Sequence, residues 1–443
     1  MSIFIVLVLM RKPESGILDV HGYQGDNGMF KQLTRITALI LILSAFGLAT
    51  DWPQYLGPGR NAVSTETGIR RSWPSGGPDV LWTVPMGEGF GGAAVSEGIV
   101  YVLDRNGEEG DILRSLDLMT GKENWRFAYD APGTLDRGGS RSVPTVDGNY
   151  IYTCGPFGHF HCFDKRTHKP VWSKNVWTDY SDAEYPRWGI AQNPLIYGDL
   201  VIISSLTEKV GVVAYDKVTG EQKWTSRGAK GRAGYVSPKI VSIAGEDHVA
   251  IVLSSDDPVT GLDPRTGEEL WSYEGWKCRI PVPNVTEIGD GRLFITGGYR
   301  AGSAMFRVEK KAGSYVVSEL FKNDEFGTHV HPAMLYKGYL YGHCSTNETR
   351  DGLMCMSLEG EVMWKTGRDP LFDKGGFILV DGLFLSVDGD KGWLYLIEPN
   401  PGGFKELAKA KLLDTNTCWG PLALTDGKLL IRDQKQMRCV VVN

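Results

Sequence analysis

The chain has 443 residues, a formal net charge of −6 at pH 7 and 42% hydrophobic residues. This charge gives no reason to expect nucleic acid or an anionic membrane surface as a partner. The 56 glycines, 22 prolines and 13 tryptophans are typical of a turn-rich all-β protein, and a repeat array of this length forms one body from many small units.

Residues 1–50 are predicted to be a leader that precedes the array. The segment 29–35 carries basic residues, 36–48 is a short apolar run, and Ala49 is a small-residue exit, a combination typical of a secretory signal. We therefore expect a periplasmic or secreted protein, with Met29 as the true start. The alternative is an uncleaved signal, which would be the chain's link to a membrane.

Residues 51–79 are rich in Gly, Pro and Ser and predict an irregular entry strap. The segment 80–84 reads V-L-W-T-V, which has the form of a fourth strand without the three strands that should precede it. We therefore place the start of the folded array at residue 80 and its end at residue 443.

A recurring motif dominates the array. Residues 214–224 read A-Y-D-K-V-T-G-E-Q-K-W, and 116–125, 163–172 and 262–271 follow the same pattern. The Asp side chain can bond the backbone of a turn, the Gly can take a positive φ, and the Trp ends the returning strand. One Trp at the same place in successive copies predicts a large aromatic contact between neighbouring repeats.

A second series of turns sets the number of repeats. Each turn contains a glycine between two short apolar runs, and successive glycines lie roughly 44 to 50 residues apart, the period of a four-stranded propeller blade. The glycines are Gly98, Gly148, Gly198, Gly245, Gly291, Gly338, Gly382 and Gly427. Eight turns predict an all-β fold, an eight-bladed β-propeller of four-stranded antiparallel blades.

The two ends of the array complete each other. The C-terminus offers three strands, over 421–424, 429–433 and 437–442, and then stops. Pairing of the 80–84 strand with this last blade closes the ring and removes the open sheet edges. We expect a monomer.

Six prolines fall in the predicted first strand of a unit, which makes that strand the innermost one, since proline cannot donate to a ladder.

Seven cysteines are an odd and sparse set for an exported chain. Cys154 with Cys162, and Cys344 with Cys355, each flank a predicted hairpin loop and could form disulfides. The alternative is that they are small buried hydrophobic residues.

Strand order predicts which face carries function. Both tight turns of each blade fall on one face, so the longer connections share the other, which we call the loop face, and binding residues are expected there. Arginine forks and aromatic rings at the mouth of a channel suit an anionic or sugar-like ligand. The candidate residues at this mouth are Arg141, Arg187, Trp188, Arg232, Tyr235, Arg279, His329, His331 and Trp419. The alternative is that the arginines bond neighbouring loop carbonyls.

His329 and His331 are two residues apart and would face the same side of a strand. They lack a third ligand at a recognisable spacing, so no metal site is predicted. No catalytic residue is assigned from the pattern.

The D-x-x-T-G-x-x-x-W units resemble the repeat of pyrroloquinoline-quinone (PQQ)-type propellers, the superfamily of quinoprotein dehydrogenases and of BamB, the propeller subunit of the outer-membrane assembly machinery. The resemblance covers nearly everything after Trp52. The repeat is specific for the fold but says little about function, because similar blades occur in proteins with different functions. Quinoprotein dehydrogenases would require adjacent cysteines, a catalytic Asp and calcium ligands, and none of these motifs can be matched here. No cofactor is therefore predicted, and PQQ with calcium is the alternative.

Three functions follow. The first is an exported binding or scaffold module for an envelope protein partner, or for an anionic or sugar-like ligand at the loop face. The second is a PQQ-dependent oxidoreductase. The third is a carbohydrate-active lyase or hydrolase in which His or Tyr is the base and Arg neutralises a uronate carboxylate.

Overall fold

The computed structural model describes residues 51–443, and the predicted leader lies outside them. Within this part of the chain every regular element is a β-strand, and we find no helix that could span a bilayer. The strands form eight four-stranded antiparallel sheets. The prediction of an eight-bladed propeller is therefore confirmed.

The strands are numbered in chain order from β1 (Val80–Pro85), and each blade is numbered from its innermost strand. Blade 1 comprises β2 (Ala93–Ser96), β3 (Ile99–Asn106), β4 (Gly110–Asp117) and β5 (Glu123–Tyr129), and blade 2 comprises β6 (Thr145–Asp147), β7 (Tyr150–Cys154), β8 (His159–Asp164) and β9 (Lys169–Asn175). Blade 3 comprises β10 (Leu195–Tyr197), β11 (Leu200–Ser204), β12 (Val212–Asp216) and β13 (Gln222–Thr225), and blade 4 comprises β14 (Lys239–Ile243), β15 (Glu246–Val252), β16 (Val259–Leu262) and β17 (Glu269–Tyr273).

The second half of the ring repeats this plan. Blade 5 comprises β18 (Thr286–Gly289), β19 (Arg292–Gly297), β20 (Gly302–Lys311) and β21 (Ser314–Asn323), and blade 6 comprises β22 (Met334–Tyr336), β23 (Tyr339–Ser345), β24 (Arg350–Ser357) and β25 (Val362–Lys365). Blade 7 comprises β26 (Phe377–Val380), β27 (Leu383–Val387), β28 (Trp393–Ile397) and β29 (Glu406–Lys411), and blade 8 comprises β30 (Ala423–Thr425), β31 (Lys428–Arg432) and β32 (Gln436–Val441).

The ring closes through its two ends. β1 pairs antiparallel with β32, and Trp82 lies opposite Cys439. Blade 8 is thus completed by the first strand of the array, as the sequence predicts.

The six prolines lie just before the innermost strands, although the sequence places them within those strands. Pro144, Pro194 and Pro421, like the others, lie one to three residues before the paired part of the innermost strand and not within it. Because proline has no N–H to donate, the ladder starts after it.

All seven cysteines are free and buried, so neither predicted disulfide is present. Cys154 lies opposite Phe160 and not opposite Cys162. In blade 6 the registers Tyr341 with Cys355 and His343 with Leu353 place Cys344 on the opposite face of the sheet from Cys355. The alternative interpretation, small buried hydrophobic residues, is the one that the structure supports.

The entry strap has little regular structure but is firmly held. Trp52 is 1% exposed and exchanges two backbone hydrogen bonds with Val95 of blade 1, and the N–H of Ser64 donates to the carbonyl of Leu379 in blade 7 (2.8 Å). Between them, the buried Arg60 side chain donates to the carbonyls of Asn193 (3.1 Å) and Pro194 (2.8 Å). Because these partners belong to inner edges on different sides of the ring, the strap crosses the central axis.

Candidate functional site

A central cavity of about 680 Å³ lies on the axis at the loop face. Most of its lining comes from the connections that lead into the innermost strands. Tyr299 and Asn347 come from connections between second and third strands, and Tyr55 comes from the strap. Seven of the nine residues proposed for the mouth line this cavity: Arg141, Arg187, Trp188, Tyr235, His329, His331 and Trp419.

The other two lie outside the lining. Arg232 is exposed, and its backbone carbonyl accepts a hydrogen bond from Ser255. The Arg279 guanidinium lies 5.7 Å from the ring centroid of Tyr299, a residue that does line the cavity.

Sequence reasoning missed several residues of the wall, including Arg137, Lys374, Tyr299 and Tyr55. Arg137 and Lys374 lie in connections between blades, and Tyr299 lies between β19 and β20, so the rule that these connections share one face could have found them. Tyr55 could not have been found in this way because the strap carries no repeat pattern.

Positive charge dominates the wall. Four cations, Arg137, Arg141, Arg187 and Lys374, line the cavity with a single carboxylate, Asp136. That carboxylate forms an ion pair with Arg187. The Lys374 ammonium lies 3.0 Å from a carboxylate oxygen of its neighbour Asp373.

Arg137 and Arg141 form no ion pair within residues 51–443. The Arg141 guanidinium donates to the carbonyls of Gly139 and Arg137, which is the loop-bonding arrangement considered as the alternative. Burial lowers the pKa of Arg141 to about 10, so the side chain keeps its charge at neutral pH. This half-buried guanidinium has no carboxylate partner and can form charge-assisted hydrogen bonds to an anion.

Aromatic rings supply much of the remaining surface. Trp419 is held by a hydrogen bond from its Nε1 to Asp373 (3.0 Å) and lies 5.4 Å from the ring centroid of Phe90. Lys374 and Arg137 lie over the Trp419 ring, 4.6 and 4.9 Å from its centroid. On the other side of the cavity, the rings of Trp188 and Tyr235 are 6.0 Å apart.

Two neutral histidines face the cations. Burial, and then the Lys374 ammonium, lower the pKa of His329 to about 3, and burial lowers the pKa of His331 to about 4. His331 Nε2 donates to the carbonyl of Trp419 (3.0 Å), while the buried Nδ1 of His329 has no hydrogen-bond partner. Its ring meets the Tyr299 ring edge-on at 4.9 Å.

Tyr55 brings the entry strap into the lining of the cavity. Burial raises the pKa of the Tyr55 hydroxyl to about 12, so it stays protonated. The Arg60 guanidinium lies 5.9 Å from the Tyr55 ring centroid and ties the strap to blade 3 through the carbonyls of Asn193 and Pro194.

Fold and site together define an eight-bladed PQQ-type propeller with a cationic, aromatic cavity on its axis. Residues 108–366 match the family described as outer membrane protein assembly factor BamB. This match covers more than half of the chain, and the chain belongs to that family.

Curated relatives include a quinoprotein ethanol dehydrogenase of Pseudomonas aeruginosa, which is 28% identical over 38% of this chain and 28% of its own length. BamB of Burkholderia pseudomallei is 27% identical over 43% of this chain and 44% of its own length. The chain therefore matches less than half the length of these relatives.

Solved structures show the same fold at lower identity. A europium-containing methanol dehydrogenase superposes with a TM-score of 0.61 and 14% identity over 88% of this chain and 89% of its own. BamB from Moraxella catarrhalis superposes with a TM-score of 0.56 and 14% identity over 82% of this chain and 99% of its own.

A quinone centre with calcium would call for free carboxylate ligands, which the lining of the cavity does not supply. Its single carboxylate, Asp136, is already paired with Arg187, and residues 51–443 hold no group of three or more His, Cys, Asp or Glu side chains suited to a metal ion. The cations and rings would suit the anionic, flat quinone, but the donor set does not fit its hard cation.

Proposed function

We propose that the chain is an exported binding protein whose central cavity takes a small anionic molecule with a ring-shaped body. The observation that carries the proposal is the excess of four cations over one carboxylate in a concave site of a protein whose net charge is −6. The cavity volume lies within the range usual for small-molecule sites. Family membership supports a location in the cell envelope.

The anionic group would meet Arg137 and Arg141, the two cations without a carboxylate partner. Planar guanidinium groups match a carboxylate with two parallel hydrogen bonds, which add geometric selectivity. The ring-shaped body would lie against the aromatic surfaces of Trp188 and Trp419, which offer large contact area at low entropic cost.

Binding is favoured over catalysis for a physical reason. A general base works best when its pKa lies near the working pH. The pKa values of His329 and His331 lie far below neutrality, and the one carboxylate of the cavity is engaged by Arg187. The lyase or hydrolase alternative would have to rely on one of these groups or on a tyrosine of the lining, and burial raises the pKa of both Tyr235 and Tyr299.

Calorimetric titration with D-glucuronate, D-glucose and PQQ tests the proposal. We expect glucuronate to bind at least about tenfold more tightly than glucose, because a charge-assisted hydrogen bond contributes about 1.5 to 3 kcal/mol. Arg137→Ala should weaken glucuronate by about tenfold, whereas Arg232→Ala, at an exposed arginine outside the lining, is the matched control and should bind normally. Equal binding of both sugars, or equal loss in both variants, would contradict the proposal.

A PQQ titration with and without calcium separates the oxidoreductase alternative. If the quinone binds stoichiometrically and the loaded chain oxidises alcohols, the chain belongs with the dehydrogenases among its relatives.

An envelope protein partner is the second candidate, favoured by the family description as an assembly factor. Cross-linking in envelope extracts with wild type and with Arg137→Ala compares the two candidates. A partner captured equally by both would bind elsewhere than the cavity. Light scattering would test the expected monomer.

A further inference from the structure

A second, smaller cavity of about 260 Å³ lies beside the central one. We call it the side groove. It is lined by residues 132–135 on one side and by Phe157, Tyr185 and Pro186 on the other, and Arg187 lines both this groove and the central cavity. Leu135 lines the groove while its neighbour Asp136 lines the cavity, so the loop before β6 and the loop before β10 contribute to both sites.

The divide between the two sites is the ion pair of Asp136 and Arg187. Their side chains are 45% and 71% exposed, and exposed pairs of this kind contribute little to stability. A molecule bound in the cavity can therefore continue across this pair into the groove without breaking a buried contact. Arg187 would also be within reach of a second polar group on such a molecule.

The groove differs chemically from the cavity. Phe157 and Tyr185 meet edge-on, with ring centroids 5.4 Å apart and planes at 82°. Phe157 is 3% exposed and has the Arg105 guanidinium over its ring, so the half-buried Tyr185 supplies the accessible aromatic surface. Arg187 is the single charged residue of its lining. Pro132 and Pro186 have no N–H, so neither position can donate to the backbone of an extended peptide.

We propose that the ligand is an acidic oligosaccharide, with the carboxylate of one sugar unit in the central cavity and the next unit in the side groove. This inference rests on the proposed function of the cavity. A sugar ring presents C–H faces to aromatic side chains and hydroxyls to polar ones, which matches a groove lined by the Tyr185 ring, the Thr134 hydroxyl and the Arg187 guanidinium. It needs no backbone partner, so the prolines are no obstacle.

Titration with galacturonate, digalacturonate and trigalacturonate tests the inference on the whole chain. We expect the trimer to bind wild type at least about tenfold more tightly than the monomer. In Tyr185→Ala and in Leu135→Asp the ratio of trimer to monomer affinity should fall to near one, because the first removes a ring and the second adds a repelling carboxylate. Because two different variants are compared, a folding defect in one of them does not decide the result. Tyr197→Ala, on the opposite turn of blade 3, serves as the control.

The outcomes distinguish a failure of this inference from a failure of the proposed cavity function. If wild type binds the monomer and the trimer equally, the groove is not a sugar site, although the cavity function stands. If neither the monomer nor the trimer binds, both the groove inference and the acidic-sugar function of the cavity are wrong. If an acidic hexapeptide or a fatty acid binds with the same dependence on Tyr185, the groove is real but the class of ligand is wrong.

Discussion

The indole ring of Trp224 in blade 3 lies directly against the backbone of Gly267 in blade 4. A Cβ atom placed on Gly267 would come within 2.4 Å of the ring. The Trp224 Nε1 also donates to the carbonyl of Pro264 in the same turn (3.1 Å). Trp82 against Gly121, and Trp172 against Gly220, repeat the arrangement. The tryptophan of one blade thus fills the contact with the turn of the next.

Replacing Trp224 with Ala should lower the free energy of unfolding by about 3 to 5 kcal/mol, because it removes a large buried ring and leaves a cavity between two blades. Urea unfolding followed by circular dichroism would measure the loss. Lys223→Ala, an exposed neighbour on the same strand, should change it by less than about 1 kcal/mol. A wild-type midpoint in Trp224→Ala would show that the ring does not support the blade contact.

The glycine side of this contact allows a matched comparison. Gly267 and Gly245 both lie in turns with positive φ, at +74° and +81°, but a Cβ on Gly245 would meet nothing within 4 Å. Gly245→Ala should cost about 1 to 2 kcal/mol of backbone strain. Gly267→Ala should cost about 1 to 3 kcal/mol more, because the methyl group overlaps the Trp224 ring. Equal losses in the two variants would refute the close packing.

The blades could be predicted from sequence because each local signal agrees with the fold. Asp216 accepts hydrogen bonds from the N–H groups of Val218 and Thr219, as the motif requires, and the eight turns fixed the number of blades. The pattern also survives where its tryptophan is lost: Phe321 packs against Gly360 of the next blade, and Ala408 stands in the same register in blade 7.

The candidate site was predictable only where topology alone decides position. Loops that precede an innermost strand must meet at the axis, so Arg141, Trp188 and Trp419 could be gathered without knowing their contacts. Tyr55 belongs to a strap whose path depends on the long-range bonds of Arg60, and these have no periodic signature. The disulfide prediction was wrong because the strand register does not place the paired cysteines opposite each other. The spacing of two cysteines around a hairpin does not reveal that register.

His161 should make stability sensitive to acid. Burial, and then His159, lower its pKa from 6.5 to about 4. Between these values the unfolded chain binds a proton that the folded chain does not, so stability falls as pH drops from 6.5 towards 4, by up to about 1.4 kcal/mol per pH unit. Asp111 acts in the opposite direction, since burial raises its pKa to about 6.

His161→Phe should flatten this slope by about 1.4 kcal/mol per pH unit. At pH 7 it should be neutral or stabilising, because neither ring nitrogen of His161 has a hydrogen-bond partner. Unfolding midpoints measured from pH 7 to pH 4 check both statements. His168→Asn, at an exposed turn, is the control. An unchanged slope in His161→Phe would mean that His161 is not held neutral by the fold.

Lys374→Met should raise the pKa of His329. Burial lowers that pKa most, and the Lys374 ammonium lowers it further, so removing the charge makes the imidazolium less unfavourable. Histidine-selective NMR titration would follow the shift, with Lys391→Met, whose residue lies outside the cavity lining, as control. A carboxylate bound beside His329 should act in the same direction, because an opposite charge favours the protonated ring. An unchanged pKa of His329 in Lys374→Met would show that the ammonium does not act on the imidazole.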